Sequence, residues 1–311
     1  MTLGIPWPRL RPGGRAVAAG LLFGLTVVGP LWALLVEPRR LRVQRYALTL
    51  PRWPRGHDVR VAVVADLHAG GPHMVAARIR RIVALTNAQA PDVVLLLGDY
   101  RADHVGTWPR LWTDRIASLL SGLSAPGGVV AVLGDHDWTQ DPAAQARGAP
   151  PVRMGAMLER HGIRVLHNDA ARLSVRNRAL WVAGLGDQRA LHRPEGRIGL
   201  DDLDATLGGV PDDGTPVILC AHQPDVFPRV PLRVDLTVSG HTHGGQIRFG
   251  PWVPFVPSRH GARYARGHVS EGDRDLVVSS GLGCSGLPVR FGVVPEVVTI
   301  DIAGGATDGS S

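Results

Sequence analysis

The sequence predicts an α/β fold, on three observations. Short apolar runs rich in Val and Ile recur along the chain, and each closes on a polar cluster. Between the early runs lie amphipathic stripes with helical spacing, so strand and helix alternate. The 39 Gly and 25 Pro among 311 residues supply many turns, which a helical bundle would not need. Apolar residues make up 44% of the chain, enough for a sizeable core.

Taken from the N-terminus, Ala16 to Val36 ("AVAAGLLFGLTVVGPLWALLV") is 21 residues without a charge. As a helix it would span roughly 32 Å, close to the ~30 Å hydrocarbon thickness of a bilayer. No small-x-small cleavage site follows it, so the expectation is an uncleaved single-pass transmembrane helix and a membrane location. Arg9, Arg11 and Arg15 on one flank balance Arg39, Arg40, Arg42 and Arg45 on the other, so charge asymmetry assigns no side. Residues 1–36 thus read as basic N-terminus and anchor, and 37–57 as a basic linker with an extended piece at Arg42–Leu50. Residues 58–302 read as the folded domain, and 303–311 as a small, polar, disordered tail.

Within the domain, "VRVAVVAD" (59–66) is the first strand, and Val75, Ile79, Ile82 and Val83 follow as a helical stripe. "PDVVLLLGD" (91–99) is the second strand. Trp112, Ile116, Leu119, Leu120 and Leu123 form the next stripe, with Thr107 as its candidate N-cap. "GGVVAVLGD" (127–135) is the third strand. Residues 163–185 alternate as antiparallel strands about a turn in "VRNRAL". "TPVILCAH" (215–222), "VDLTVSGH" (234–241), "DLVVSSGLG" (275–283) and "PEVVTIDI" complete the set.

The net charge of +7 does not signal a nucleic-acid groove. Residues 1–57 hold nine Arg against one acid, whereas 58–311 hold 25 Arg against 26 acids. The surplus sits beside the predicted anchor, and no nucleic-acid partner is expected. All 34 basic residues are Arg, so a surface Arg is weak evidence by itself. Cys220 and Cys284 lack CxxC spacing and read as small buried side chains.

The strand tips carry the chemistry. The first strand ends in Asp66-Leu67-His68, the second in Gly98-Asp99 and the third in Gly134-Asp135-His136-Asp137. The next two end in Ala221-His222 and Gly240-His241-Thr242-His243. Ligand sites in open α/β sheets lie outside the carboxyl ends of the strands. Five tips bearing Asp or His offer the O and N donors that Mn, Fe and Zn favour. Asp66 and His68, like His241 and His243, are two residues apart and would project to one side of extended backbone. Without cations, clustered Asp66, Asp99 and Asp135 would repel one another by several kcal/mol in a poorly solvated cleft. Two divalent metal ions remove that repulsion.

The motifs "DLH", "GDY", "GDHD", "AHQPD" and "SGHTHGGQ", in that order, resemble the calcineurin-like metallophosphoesterase superfamily. "SGHTHGGQIRFG" and "SGLGCSGLPVRFGVVPE" are similar to its bacterial membrane-associated branch, and the likeness spans about 42–302. It implies a four-layer αββα sandwich: two mixed β-sheets packed face to face and flanked by helices. It implies one metal held by Asp66, His68, Asp99 and His243, and a second by Asp99, Asp135, His222 and His241, with Asp99 bridging. His136 would then face the substrate as a proton donor, with Asp137 as its orienting carboxylate.

The implied function is phosphoester hydrolysis by a metal-activated hydroxide. With the anchor, the expected substrate is a phospholipid or lipid-linked phosphate. The alternatives are a tethered phosphodiesterase for soluble substrates and a catalytically silent metal-binding scaffold. The likeness departs at one position, where Asp135 replaces the Asn of the family's usual "GNHD". A carboxylate there still binds metal, but its charge makes hydroxide harder to generate or favours a more highly charged ion. Arg290, in "LPVRFG", is a candidate phosphate contact, and loop 251–257 ("PWVPFVP") a candidate wall for a lipid cleft.

Overall fold

The computed structural model describes Val17 and residues 24–102 and 104–305. The predicted anchor, Ala16–Val36, therefore lies partly outside the described residues, as do the basic residues before it and most of the C-terminal tail. Its described part is helical from Gly24 and runs into a 3-10 turn at Glu37–Arg39. Val28, Leu31, Trp32 and Leu35 on it are exposed. Among the described residues no helix is long and apolar enough to cross a membrane. The end of this run is fastened to the domain. Arg290 donates its backbone N–H to Ala33 O at 3.0 Å, and buried Glu37 accepts from Trp32 Nε1 at 2.8 Å.

The strands are Arg42–Leu50 (β1), Val59–Val64 (β2), Val93–Leu96 (β3), Val129–Ala131 (β4), Arg164–Val165 (β5), Asp169–Val175 (β6) and Arg178–Gly184 (β7). Then come Leu191–Arg193 (β8), Gly196–Ile198 (β9), Val217–Cys220 (β10), Leu236–Ser239 (β11), Gly267–Glu271 (β12), Arg274–Val278 (β13) and Glu296–Gly304 (β14). One six-stranded mixed sheet has the order β1-β14-β2-β3-β4-β5, the other β12-β13-β11-β10-β7-β6. A small antiparallel hairpin, β8–β9, stands apart.

Alternation decides which side chains meet where. Val61 and Val63 of β2 point into a core shared with Ile218, Cys220, Leu236 and Val238 of the second sheet. Ala62 and Val64 point the other way, under helices Ala76–Asn87 (α1) and Thr113–Leu120 (α2). On the far face of the second sheet, Val217 and Leu219 pack with Leu207 of helix Leu203–Gly208. The two sheets therefore share a dry interface, and helices cover their outer faces. Cys220 and Cys284 are both free and buried.

Several elements differ from expectation. The extended piece at 42–50 is part of the domain, as a nine-residue edge strand parallel to β14. Helix α2 begins at Thr113 after Trp112, without a side-chain cap; Thr107 instead bonds His104 O at 2.6 Å, and Trp112 is exposed. The third strand stops early because Gly134 caps a short helix, Asp135–Thr139 (α3), whose Asp137 carboxylate accepts the Gly134 N–H at 2.9 Å. Arg176 and Asn177, both at positive φ, make the two-residue turn between β6 and β7.

Candidate metal centre

The tips of β2, β3, β4, β10 and β11 converge on one place. Two clusters form there: Asp66, His68 and His243 in one, and Asp99, Asp135, His222 and His241 in the other, all buried. His68 Nε2 lies 3.2 Å from His243 Nε2, and Asp66 Oδ1 lies 4.0 Å from that same nitrogen. In the second cluster His222 Nε2 is 3.2 Å from His241 Nδ1 and 3.6 Å from Asp135 Oδ1. Asp99 Oδ2 stands between them, 3.5 Å from His68 Nε2 and 3.4 Å from His222 Nε2. Donor atoms at these separations would lie within reach of a single ion at bonds of about 2.1 Å in each cluster. Asp66 Oδ2 and Asp135 Oδ1 are buried and accept no hydrogen bond, as carboxylate oxygens awaiting a cation would. The donor set fits two divalent metal ions, one per cluster.

The backbone brings the ligands together in a way that strand alternation does not describe. Asp66, His68, Asp99, His241 and His243 all have left-handed φ, between 41° and 65°. Such conformations cost of order 1–3 kcal/mol each and persist where the surroundings over-determine them. Here the surroundings are hydrogen bonds between tips. Asp66 Oδ1 accepts the His241 N–H at 2.8 Å, and Asp99 Oδ1 accepts the His136 N–H at 3.0 Å. Asp137 accepts from the backbone N–H groups of Asp99, Tyr100 and Gly134 at 2.9, 3.1 and 2.9 Å. A Cβ on Gly134 would collide with Asp99 Oδ1 and the His222 ring, so only glycine lets these two tips close.

Protonation follows from the same contacts. Burial pushes the Asp66 carboxyl up to about 6. Burial also opposes ionisation of Asp99 and Asp135, but histidines beside them, His222 foremost, outweigh it and hold both below the usual range. Burial, then His68 and the Arg290 guanidinium, lower His243 and keep its ring neutral, the form that ligates metal. The His222 Nδ1 donates to Leu97 O at 2.5 Å, which leaves Nε2 free to face Asp99 and Asp135.

A cavity of about 420 Å³ opens over the clusters, lined by Asp99, Asp135, His136, His241 and His243. His136 reaches it with its ring, Nε2 lying 3.5 Å from Ser285 Oγ and 4.0 Å from Asp99 Oδ2. Ile247, Pro254, Phe255 and Pro257 form an apolar wall, so the 251–257 loop does border the cleft. Arg290 does not: it is fully buried, bonded to Gly283 O and 3.1 Å from His243 Nδ1. His73 and His104 are buried against Pro288 O and Val105 O, away from the cavity.

The sequence reading missed a sixth tip. Strand β7 also closes on Gly-Asp, at Gly186-Asp187, and Asp187 is buried behind the site with Gln223 Nε2 3.3 Å from its Oδ2. Its signal was the pattern already recognised at Gly98-Asp99. Arg189 and Arg197, which also line the cavity, carry no spacing signal.

Comparison with known proteins agrees with the geometry. A family model described as calcineurin-like phosphoesterase matches residues 59–245. The Caenorhabditis elegans protein F40B5.2 is 33% identical over 252 residues, 78% of this chain; the chain spans about half, 48%, of that protein. An uncharacterized metallophosphoesterase of Aquifex aeolicus is 30% identical over 276 residues, covering 86% of this chain and 94% of that protein. The UDP-2,3-diacylglucosamine pyrophosphatase LpxG of Chlamydia trachomatis is 26% identical over 338 residues, covering 90% and 97%.

Proposed function

The chain belongs to the calcineurin-like phosphoesterase family and is a metal-dependent phosphoesterase; on that premise we propose that it hydrolyses a phosphoester of a lipid or lipid-linked molecule at a membrane surface. One observation carries the substrate class: the wall of Ile247, Pro254, Phe255 and Pro257 beside the metal clusters. The wall continues outward as exposed apolar surface, with Phe255 70%, Trp252 60% and Leu287 55% accessible. An acyl chain or prenyl group would cover such surface, whereas a small soluble diester would leave it wet. The relative described as a pyrophosphatase of UDP-2,3-diacylglucosamine supports the same class. The uncharged Ala16–Val36 segment supports a membrane setting.

When bound, two divalent ions would supply the central chemistry by lowering the pKa of water and neutralising phosphoryl oxygens. Asp66, His68, Asp99 and His243 would hold one ion, and Asp99, Asp135, His222 and His241 the other. His136 donates a proton to the leaving oxygen from the rim of the cavity. Asp137 acts one step away: through its three backbone bonds it fixes the tips from which Asp99 and His136 project.

The test is hydrolysis by the full chain in detergent, with manganese, of bis-p-nitrophenyl phosphate and of lipid-linked phosphoesters in mixed micelles. Metal-dependent turnover of both is expected. Phe255→Ser should lower kcat/KM about 10- to 100-fold for the lipid substrate, matching about 1.5–3 kcal/mol for one buried aromatic. Turnover of the soluble diester with none on any lipid phosphoester would overturn the lipid reading.

A further inference from the structure

Two arginines in the cavity are unused by the roles above. Arg189 follows the tip of β7, and Arg197 lies on β9; both line the cavity that holds Asp99, Asp135 and His136. The segment 187–192, which presents Arg189, is pinned on both sides. Asp187 Oδ1 accepts the Arg189 backbone N–H at 2.7 Å, and Gln188 Nε2 donates to the carbonyl of Gln223, the neighbour of ligand His222, at 2.7 Å. On the other side Gln145 Nε2 donates to Ala190 O at 2.6 Å and its Oε1 accepts the His192 N–H at 2.8 Å.

The guanidinium carried by this segment has an unmet need. The Arg189 Nε is buried and has no hydrogen-bond partner. Neither arginine forms an ion pair among the described residues. A buried unpaired donor is unfavourable, and two bound dications nearby would add repulsion. An anion in the cavity relieves both, and a guanidinium fork matches phosphate oxygens in bidentate fashion. The metal pair and His136 already account for the phosphate that is cleaved.

We propose that Arg189 and Arg197 form a subsite for a second phosphate group of the substrate, which selects substrates bearing two phosphates over simple phosphodiesters. The inference rests on the phosphoester reading and narrows its substrate class. The second phosphate can come from a pyrophosphate linkage or from a separate phosphomonoester on the same molecule.

The test is binding of methylenediphosphonate and of methylphosphonate to the full chain loaded with manganese, measured by calorimetry. Wild type should prefer the diphosphonate by tenfold or more. Arg189→Ala and Arg197→Ala should weaken the diphosphonate at least tenfold and the monophosphonate by a clearly smaller factor. Arg189→Lys, which keeps the charge without the fork, should fall between. Because Arg197 is exposed, its variant tests the idea even if Arg189→Ala fails to fold. Comparing a pyrophosphate diester with a bisphosphorylated sugar monoester then separates the two sources. Equal wild-type affinity for the two phosphonates, or equal loss of both in the variants, would overturn the inference. Turnover of bis-p-nitrophenyl phosphate by wild type reports separately on the phosphoester reading, which survives that result.

Discussion

Asp135 brings a full negative charge to a cluster that already contains Asp99, with His222 Nε2 3.6 Å and His241 Nδ1 3.4 Å from its Oδ1. Replacing it by Asn removes that charge and retains a ligand oxygen. Asp135→Asn should therefore move the rising limb of the kcat/KM pH profile down by about one unit, or about 1.4 kcal/mol. An unchanged limb would show that the charge is neutralised elsewhere. His136→Ala should lower kcat about 10²- to 10⁴-fold while metal analysis still finds two ions per chain, because the ring is not among the clustered donors. Loss of metal in that variant would make His136 a ligand instead. The seven candidate ligands were legible because each stood at the end of an apolar run. How they converge was not, since an Asp or His gives no sign that its φ will be left-handed. Arg189 stayed hidden for a different reason: in a chain whose 34 basic residues are all Arg, one more carries no signal.

At the scale of elements, β1 decides where the domain begins. It runs parallel to β14 along nine paired residues, from Arg42 opposite Glu296 to Leu50 opposite Gly304. The Arg42 guanidinium meets the buried Glu296 carboxylate at 2.6 Å, and Leu48, Leu50 and Trp53 complete the core between the sheets. A chain starting at residue 57 loses that strand and bares the edge of β14, an invitation to aggregate. It should melt at least about 5 °C below a chain starting at residue 40, as two or more buried large side chains at 2–5 kcal/mol each require. Equal melting temperatures would show β1 to be dispensable. Strands with continuous Val and Leu were readable, as was the Arg176-Asn177 turn. The β8–β9 hairpin and edge strand β12 were not, because they are short and hold too few apolar residues to make a run or an alternation.

For the whole molecule, metal loading and pH are linked. In the metal-free protein burial pushes Asp66 up to about 6 and, reinforced by Asp135, Asp187 up to about 7. Folded acids with raised pKa hold protons that the unfolded chain has released above its value of 3.8. Asp66 and Asp187 thus contribute stability that is lost as pH rises from about 4 to about 7, offset in part by His243, whose ring stays neutral when folded but takes up a proton in the unfolded chain below about 6.5. Metal binding strengthens over the same interval, since the ligands must be deprotonated. The gap in melting temperature between metal-loaded and metal-free protein should widen from about pH 5 to about pH 7.5, and calorimetry at both settles it. A gap independent of pH would show that proton release is not linked to metal binding in this range.

The strand order β1-β14-β2 also has a consequence in time. The last strand of the chain lies between the first two, so neither can take its final neighbour until residue 304 has been made. At about 5–20 residues per second, synthesis from β2 to β14 occupies roughly 12–50 s. For most of that interval the N-terminal segment is outside the ribosome while the sheet that follows it is still open.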